Sequence, residues 1–312
     1  MDKKYIFGVD VGGTTVKMGF FTVAGELLDK WEIVTRKEEN GQYILPDIAE
    51  SILTYLTTKQ ISKEEIAGIG IGVPGPVNDK GVIRGAVNLG WKGEFSVVDQ
   101  METLTGMPVK ASNDANVAAL GEMWKGGGQG YRNLILVTLG TGIGGGVILD
   151  GKIWTGTSGS AGEIGHIHVE DSEKEICTCG NYGCLEQYGS ATGIVRLAKR
   201  YFEDHDVNSV LKTADISAKA IFDAVKAEDT AAVEIAKQFG EYLGKGLASI
   251  AAVVDPEAFV IGGGVSKAGE VIFEYVRPVF ERNVFHACRS TAFCLATLGN
   301  DAGIYGAAKL VL

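Results

Sequence analysis

Two stretches of this chain repeat one short plan. Residues 5–11 are a β-rich apolar run holding Asp10, Gly12-Gly13-Thr14-Thr15 makes a turn, and residues 16–23 form a second apolar run. Residues 134–139, the turn Gly140-Thr141-Gly142 and residues 144–149 do the same, with Gly140 placed 128 residues after Gly12. In both places another turn, Ala24-Gly25 or Asp150-Gly151, leads into a third strand, at 27–35 and 152–154. Short apolar runs separated by glycine turns read as strand meanders. Self-similarity at this spacing marks duplication of a whole α/β half. The expected fold is therefore α/β, with two similar halves.

The segments between fit that plan. Ile44, Ile48, Ile52 and Leu56 recur at helical spacing and predict a helix over 44–59. A buried strand at 66–73 is closed by Pro74-Gly75-Pro76, a helix follows over 97–105, and a strand at 109–112 delivers Asn113-Asp114 to a helix over 115–124. The second half has helices over 191–202, 217–226 and 230–254, a strand at 258–261 running into a Gly262-Gly263-Gly264 turn, a helix over 269–280 and a strand at 293–296. The division expected is a small N-terminal domain, 1–115, with a terminal helix at about 300–312 packing back on it. A larger domain, 116–299, carries an insertion at 155–190 that holds a cysteine cluster.

Composition narrows the function. With 29 Lys+Arg against 39 Asp+Glu, the net charge is −10, which opposes a nucleic-acid or anionic-membrane surface. Glycine supplies 44 of 312 residues, roughly twice ordinary usage, without collagen periodicity. The first ten residues lack the long apolar region of a secretory signal, and the tempting run 133–149 is broken by glycines. A cytoplasmic protein without membrane contact is expected. Five cysteines, an odd number, argue against a disulfide framework.

Four constellations carry chemistry. The glycine turns, with Thr14, Thr15 and Thr141, offer backbone N–H groups and hydroxyls to a phosphate. Neither is followed by Gly-Lys-Ser/Thr, and neither opens a helix, so neither is a Walker loop or a dinucleotide fingerprint. Asp10 beside the first turn suits a Mg²⁺ ion held through water, or else caps the turn. Asn113-Asp114 supplies either helix caps or a carboxylate able to take a proton from an attacking alcohol. Cys177, Cys179 and Cys184, with His166 (His168 is the competing nitrogen), compose a Cys₃His set of the kind that closes a structural zinc site. Cys288 and Cys294 read as core or near-core residues, and His205 and His286 have no partner pattern.

Taken together, Asp10-Val-Gly-Gly-Thr-Thr-Val-Lys17, Leu139-Gly-Thr-Gly-Ile-Gly-Gly-Gly146, Glu163-x-Gly-His166 and Cys177-x-Cys-Gly-x-x-Gly-Cys184-Leu-Glu186 resemble the ROK family (repressor, open reading frame, kinase) over essentially the whole chain. The resemblance implies the actin-like, hexokinase-like ATPase fold, two ribonuclease-H-like domains around a central cleft. It implies Asp114 as general base for attack of a sugar hydroxyl on the γ-phosphate of ATP, with Asn88, Asn113, Glu163, His166 and Glu186 holding the sugar. Nucleotide and Mg²⁺ fall to Asp10, Gly12, Gly13, Thr14, Thr15, Lys17, Gly140, Thr141, Gly142, Gly262, Gly263 and Gly264. Zinc falls to His166, Cys177, Cys179 and Cys184, with His166 turning its second nitrogen to the sugar. The surroundings Asn88-Leu-Gly-Trp91 and Cys184-Leu-Glu-Gln-Tyr-Gly-Ser-Ala191 resemble the glucose-phosphorylating branch, with N-acetylmannosamine kinase or fructokinase as alternatives. The family also suggests a homodimer. Its repressor branch places a DNA-binding domain ahead of the first turn, where this sequence has nine residues before Asp10. A sugar-binding module without turnover is the remaining reading.

Overall fold

The computed structural model describes residues 3–213 and 215–312, so the first two residues of the 1–115 segment lie outside it. Two five-stranded sheets carry the fold, and they share one strand order. The first runs β3-β2-β1-β4-β7, from β1 (Tyr5–Val11), β2 (Thr15–Thr22), β3 (Leu27–Val34), β4 (Ile66–Val73) and β7 (Val109–Asn113). β1, β2 and β3 are antiparallel neighbours, while β4 and β7 run parallel to β1. The second runs β10-β9-β8-β11-β12, from β8 (Leu134–Leu139), β9 (Ile143–Leu149), β10 (Lys152–Ile153), β11 (Ala258–Gly262) and β12 (Ala292–Leu295), again with parallel pairing among β8, β11 and β12. The duplication expected from the two glycine turns thus extends over whole sheets.

Contacts divide the chain into two compact units. One gathers the chain up to Arg132, Gly146–Ala161 and Leu298–Leu312; the other holds Asn133–Gly145 and Gly162–Thr297. In the first, a short turn α1 (Glu38–Gly41) precedes α2 (Ile44–Lys59), whose buried Ile44, Ile48, Ile52 and Leu56 join Phe7, Val9, Ile69 and Ile71 in one core. Burial of this aliphatic stripe at roughly 25 cal/mol per Å² is the main force holding helix to sheet. A two-strand hairpin, β5 (Val82–Ile83) with β6 (Phe95–Ser96), occupies ground that reads as loop in the sequence, because two-residue strands are too short to show a period. Ser96 caps α3 (Val97–Thr105) by accepting from the Asp99 N–H, and Gly106 ends it in the left-handed region.

The unit closes on two helices, α4 (Asp114–Lys125) and α11 (Ala302–Leu310). They cross at glycine: a Cβ on Gly306 would lie 1.5 Å from the Val117 carbonyl oxygen, and one on Gly121 2.3 Å from that of Ala302. Only backbones without side chains approach so closely.

In the second unit, α5 (Glu186–Gly189), α6 (Ala191–Asp204), α7 (Ala218–Lys226) and the long α8 (Thr230–Val254) separate the cysteine-loop segment from β11. Helix α8 buries Ala236, Phe239, Leu243, Leu247 and Ile250, while Val233 and Val254 are half-buried at its ends. After β11, α9 (Gly263–Ser266) and α10 (Val271–Asn283) lead to β12. Gly262-Gly263-Gly264 is therefore a strand end passing into a short helix, with Gly263 at φ +83° making the change of direction. No helix among the described residues is long and apolar enough to cross a membrane.

Candidate active site and metal centre

Asp10 is the sixth residue of β1, opposite Lys17 on β2 and Gly72 on β4. Beyond it the Gly12 N–H donates to the Thr15 carbonyl at 3.0 Å, and Thr35 braces the turn, its hydroxyl donating to the Gly12 carbonyl and its N–H to that of Thr14. Gly303 in the first turn of α11 leaves room for the carboxylate; a Cβ there would lie 2.5 Å from it. Burial, reinforced by the negative charge of Asp114 and opposed by Lys17, raises the Asp10 carboxyl from 3.8 to about 6.

The outer strand of the parallel set, β7, ends in Asn113, and Asp114 opens α4. Asn113 is the N-cap of α4: its Oδ1 accepts from the Ala115 and Asn116 N–H groups, and its Nδ2 donates to the Gly75 carbonyl. Capping thus falls to Asn113, while Asp114 sits in the first helical turn, accepts from the Ala115 N–H at 2.8 Å and acts electrostatically on Asp10. A carboxylate there is favoured by the helix N-terminus. Asn88 is exposed in the 3₁₀ turn Val87–Leu89, and its carbonyl would be 3.8 Å from a Cβ on Gly13. The first unit therefore collects Asp10, the 12–15 turn, Asn88, Asn113 and Asp114. Lys17, expected on the nucleotide, donates to the Asn300 carbonyl at 3.1 Å.

In the second unit the Gly140 N–H donates to the Gly142 carbonyl at 3.0 Å. The start of α6 closes this turn: the Ala191 N–H donates to the Gly140 carbonyl and the Thr192 hydroxyl to that of Thr141. Gly263 lies against the end of β8, where a Cβ would be 2.6 Å from the Leu139 carbonyl, so the two glycine segments come together. Around Gly264 the space is open.

His166, Cys177, Cys179 and Cys184 offer ligand atoms that all lie within 4.8 Å of one another. Cys179 Sγ and Cys184 Sγ are 3.6 Å apart, and Cys177 Sγ is 3.7 Å from His166 Nδ1. A tetrahedral zinc with Zn–S of about 2.3 Å needs S···S and S···N edges of roughly 3.5–3.8 Å, so the donor set fits the ion in number, softness and spacing. Burial pushes the Cys184 thiol up to about 12, while the Asn181 backbone N–H helps lower that of Cys179. His168 is engaged elsewhere, with Nδ1 on the Tyr182 carbonyl and Nε2 on Asp171. The remaining nitrogen of His166, Nε2, is 3.9 Å from a Glu163 carboxylate that is 63% exposed.

The far side of the loop is tied down by ions. Glu173, its side chain 1% exposed, accepts from Arg196, Arg200 and the Tyr188 hydroxyl, and the N–H groups of Lys174 and Glu175 donate to it. Burial alone would raise this carboxyl; Arg200, Tyr188, the Glu175 N–H and the charge of Arg196 overcome it and hold it well below the usual range.

Glu186, at the start of α5, reaches both features of the unit. Its Oε2 accepts from the Ile143 N–H at 3.0 Å, and its Oε1 accepts from the Thr178 hydroxyl at 3.3 Å. Thr178, Thr192 and Gly303 have no mark in the sequence. One missed signal was readable: Asn113-Asp114-Ala115 recurs as Asn300-Asp301-Ala302 at the start of α11, the same position in the repeated plan.

Doubled sheets of this order, glycine hairpins and a Cys₃His loop define the hexokinase-like α/β architecture. The ROK family profile matches residues 6–312, and the chain belongs to that family. It is 45% identical to a glucokinase of Halalkalibacterium halodurans, over 100% of this chain and 96% of the relative. A ROK family glucokinase from Streptomyces griseus, solved in complex with glucose and AMPPNP, superposes with a TM-score of 0.72 at 34% identity, covering 98% of each chain. The ROK hexokinase of Thermus thermophilus gives 0.79 at 32% identity, over 97% of this chain and 96% of that one.

Proposed function

We propose that the protein is an ATP-dependent hexose kinase that phosphorylates glucose at its 6-hydroxyl. The observation that carries the reading is the division of labour at the start of α4. Asn113 caps the helix, so Asp114 is not required as a cap and stands beside Asp10 at the phosphate-type turn. Likeness to glucokinases over the full chain supports glucose as acceptor.

In this reading Asp114 takes the proton of the attacking hydroxyl as the bond to the γ-phosphorus forms and the bond to the ADP oxygen breaks. Asn88, Asn113, Glu163, His166 and Glu186 hold the sugar's other hydroxyls. The turns at 12–15, 140–142 and 262–264 offer N–H and hydroxyl donors to the phosphates, and Lys17 adds charge. Asp10 would hold Mg²⁺ through water, and the ion would supply charge neutralisation to the phosphates. Cys177, Cys179, Cys184 and His166 Nδ1 would hold a structural zinc, which would order the loop and leave His166 Nε2 for the sugar. A cytoplasmic homodimer completes the proposal.

The test is ADP production from Mg-ATP with glucose, mannose, fructose, N-acetylglucosamine and N-acetylmannosamine in parallel. A strong preference for glucose is expected. Preference for another sugar would move the acceptor within the family, and absence of turnover in folded, zinc-loaded protein would leave a sugar-binding module.

A further inference from the structure

Glu186 belongs, in the reading above, to the sugar. Its geometry gives it a second task. One carboxylate oxygen accepts from the N–H of Ile143, the residue that leaves the 140–142 turn. The other accepts from Thr178, between two of the cysteines, and is 3.9 Å from Cys177 Sγ. Space for the first contact is made by Gly142: a Cβ there would lie 1.9 Å from Glu186 Oε2. Backbone amides of a turn can serve a phosphate only if the turn is held in one shape. Here a single carboxylate holds the exit of the turn, and the metal loop holds that carboxylate.

We propose that Glu186 is a positioning residue that couples the order of the Cys₃His loop to the phosphate-binding turn, so that metal in the loop tightens nucleotide binding in the absence of sugar. This rests on the reading of 140–142 as a phosphate turn. The chain of contacts is Cys177 and Thr178 to Glu186, Glu186 to Ile143 N–H, and Ile143 to the turn. Glutamine can keep both links, accepting from Ile143 and donating to Thr178 or Cys177; alanine can keep neither.

The experiment is calorimetric titration with Mg-AMPPNP, without sugar, of zinc-loaded and chelator-stripped protein, for the parent, Glu186→Ala, Glu186→Gln, Thr178→Val and Gly140→Asp. Removing one charge-assisted hydrogen bond is expected to weaken nucleotide binding about tenfold in Glu186→Ala, with Glu186→Gln within about threefold of the parent. Stripping the metal is expected to weaken the parent by a similar factor and to leave Glu186→Ala unchanged, because the link is already cut. Thr178→Val, on an exposed loop residue, tests the metal side alone and should lose most of the sensitivity to stripping. Equal nucleotide affinity in the parent and Glu186→Ala, or an undiminished metal effect in Glu186→Ala, overturns the coupling. Gly140→Asp separates the two readings: a carboxylate in a phosphate turn should abolish binding. If Gly140→Asp binds like the parent, the phosphate-turn reading fails; if it alone loses binding, only the coupling fails.

Discussion

Asp10 and Asp114 show how a site opposes stability. Asp10 binds its proton more tightly in the folded protein than its ordinary value of 3.8 allows in the unfolded chain, because burial and Asp114 disfavour its charge. A raised folded value means that the contribution to stability is full below the unfolded value and is lost as pH rises through about 6. The metal-free protein therefore carries a charge penalty at neutral pH, on the order of 2–3 kcal/mol. Asp10→Asn removes it. The expected result is a higher melting temperature than the parent at about pH 7.5, with the advantage shrinking toward about pH 4, and a loss of turnover. A melting difference independent of pH would show that the burial of Asp10 is electrostatically neutral. At this scale residue types were legible and their division of roles was not. Spacing identified three cysteines with His166 and named His168 as the competing nitrogen, because both lie within reach in sequence. The structure puts His166 Nδ1 3.7 Å from Cys177 Sγ and turns His168 to Tyr182 and Asp171. Likewise Asn113-Asp114 reads as cap or base until the capping bonds are seen to end on Asn113.

The cysteine loop is held at more than one place. The Cys₃His cluster gathers one side, and Glu173 with Arg196, Arg200 and Tyr188 fastens the other against α5 and α6. Because the Glu173 carboxyl is held below its ordinary value, its contribution is present above the unfolded value of 4.5 and is lost as pH falls below it. Glu173→Gln should therefore melt several degrees lower than the parent at neutral pH, since two arginines lose their buried partner. The gap should narrow as pH drops below about 4.5, measured by thermal melts across pH. Elements with many periods were legible: α2 and α8 cover the spans 44–59 and 230–254 expected for them. Elements with none were not. The β5–β6 hairpin has two residues per strand, and the Gly262–Gly264 segment carries a glycine signal that fits a turn or a strand-to-helix change equally.

Across the whole chain, duplication is the strongest message. Two glycine hairpins announced it, and the matched strand orders extend it to five strands each. The repeated Asn-Asp-Ala at α4 and α11 is equally legible, but its spacing differs from that of the glycine pair. What no one-dimensional pattern reveals is that α4 and α11 meet at glycine, with Val117 carbonyl where a Gly306 Cβ would be. Gly306→Ala should separate the helices and cost about 1–3 kcal/mol or more, read as a drop in denaturant midpoint with unchanged slope. An unshifted midpoint would mean that the crossing relaxes without cost.

The central claim is that one carboxylate, Asp114, performs proton transfer for phosphorylation of a sugar bound by other residues. The most direct measurement pairs glucose affinity with Mg-ATP turnover in Asp114→Asn. Glucose Kd within about threefold of the parent, with kcat reduced about a thousandfold or more, is the result predicted for a general base. Near-normal kcat in that variant would contradict the account.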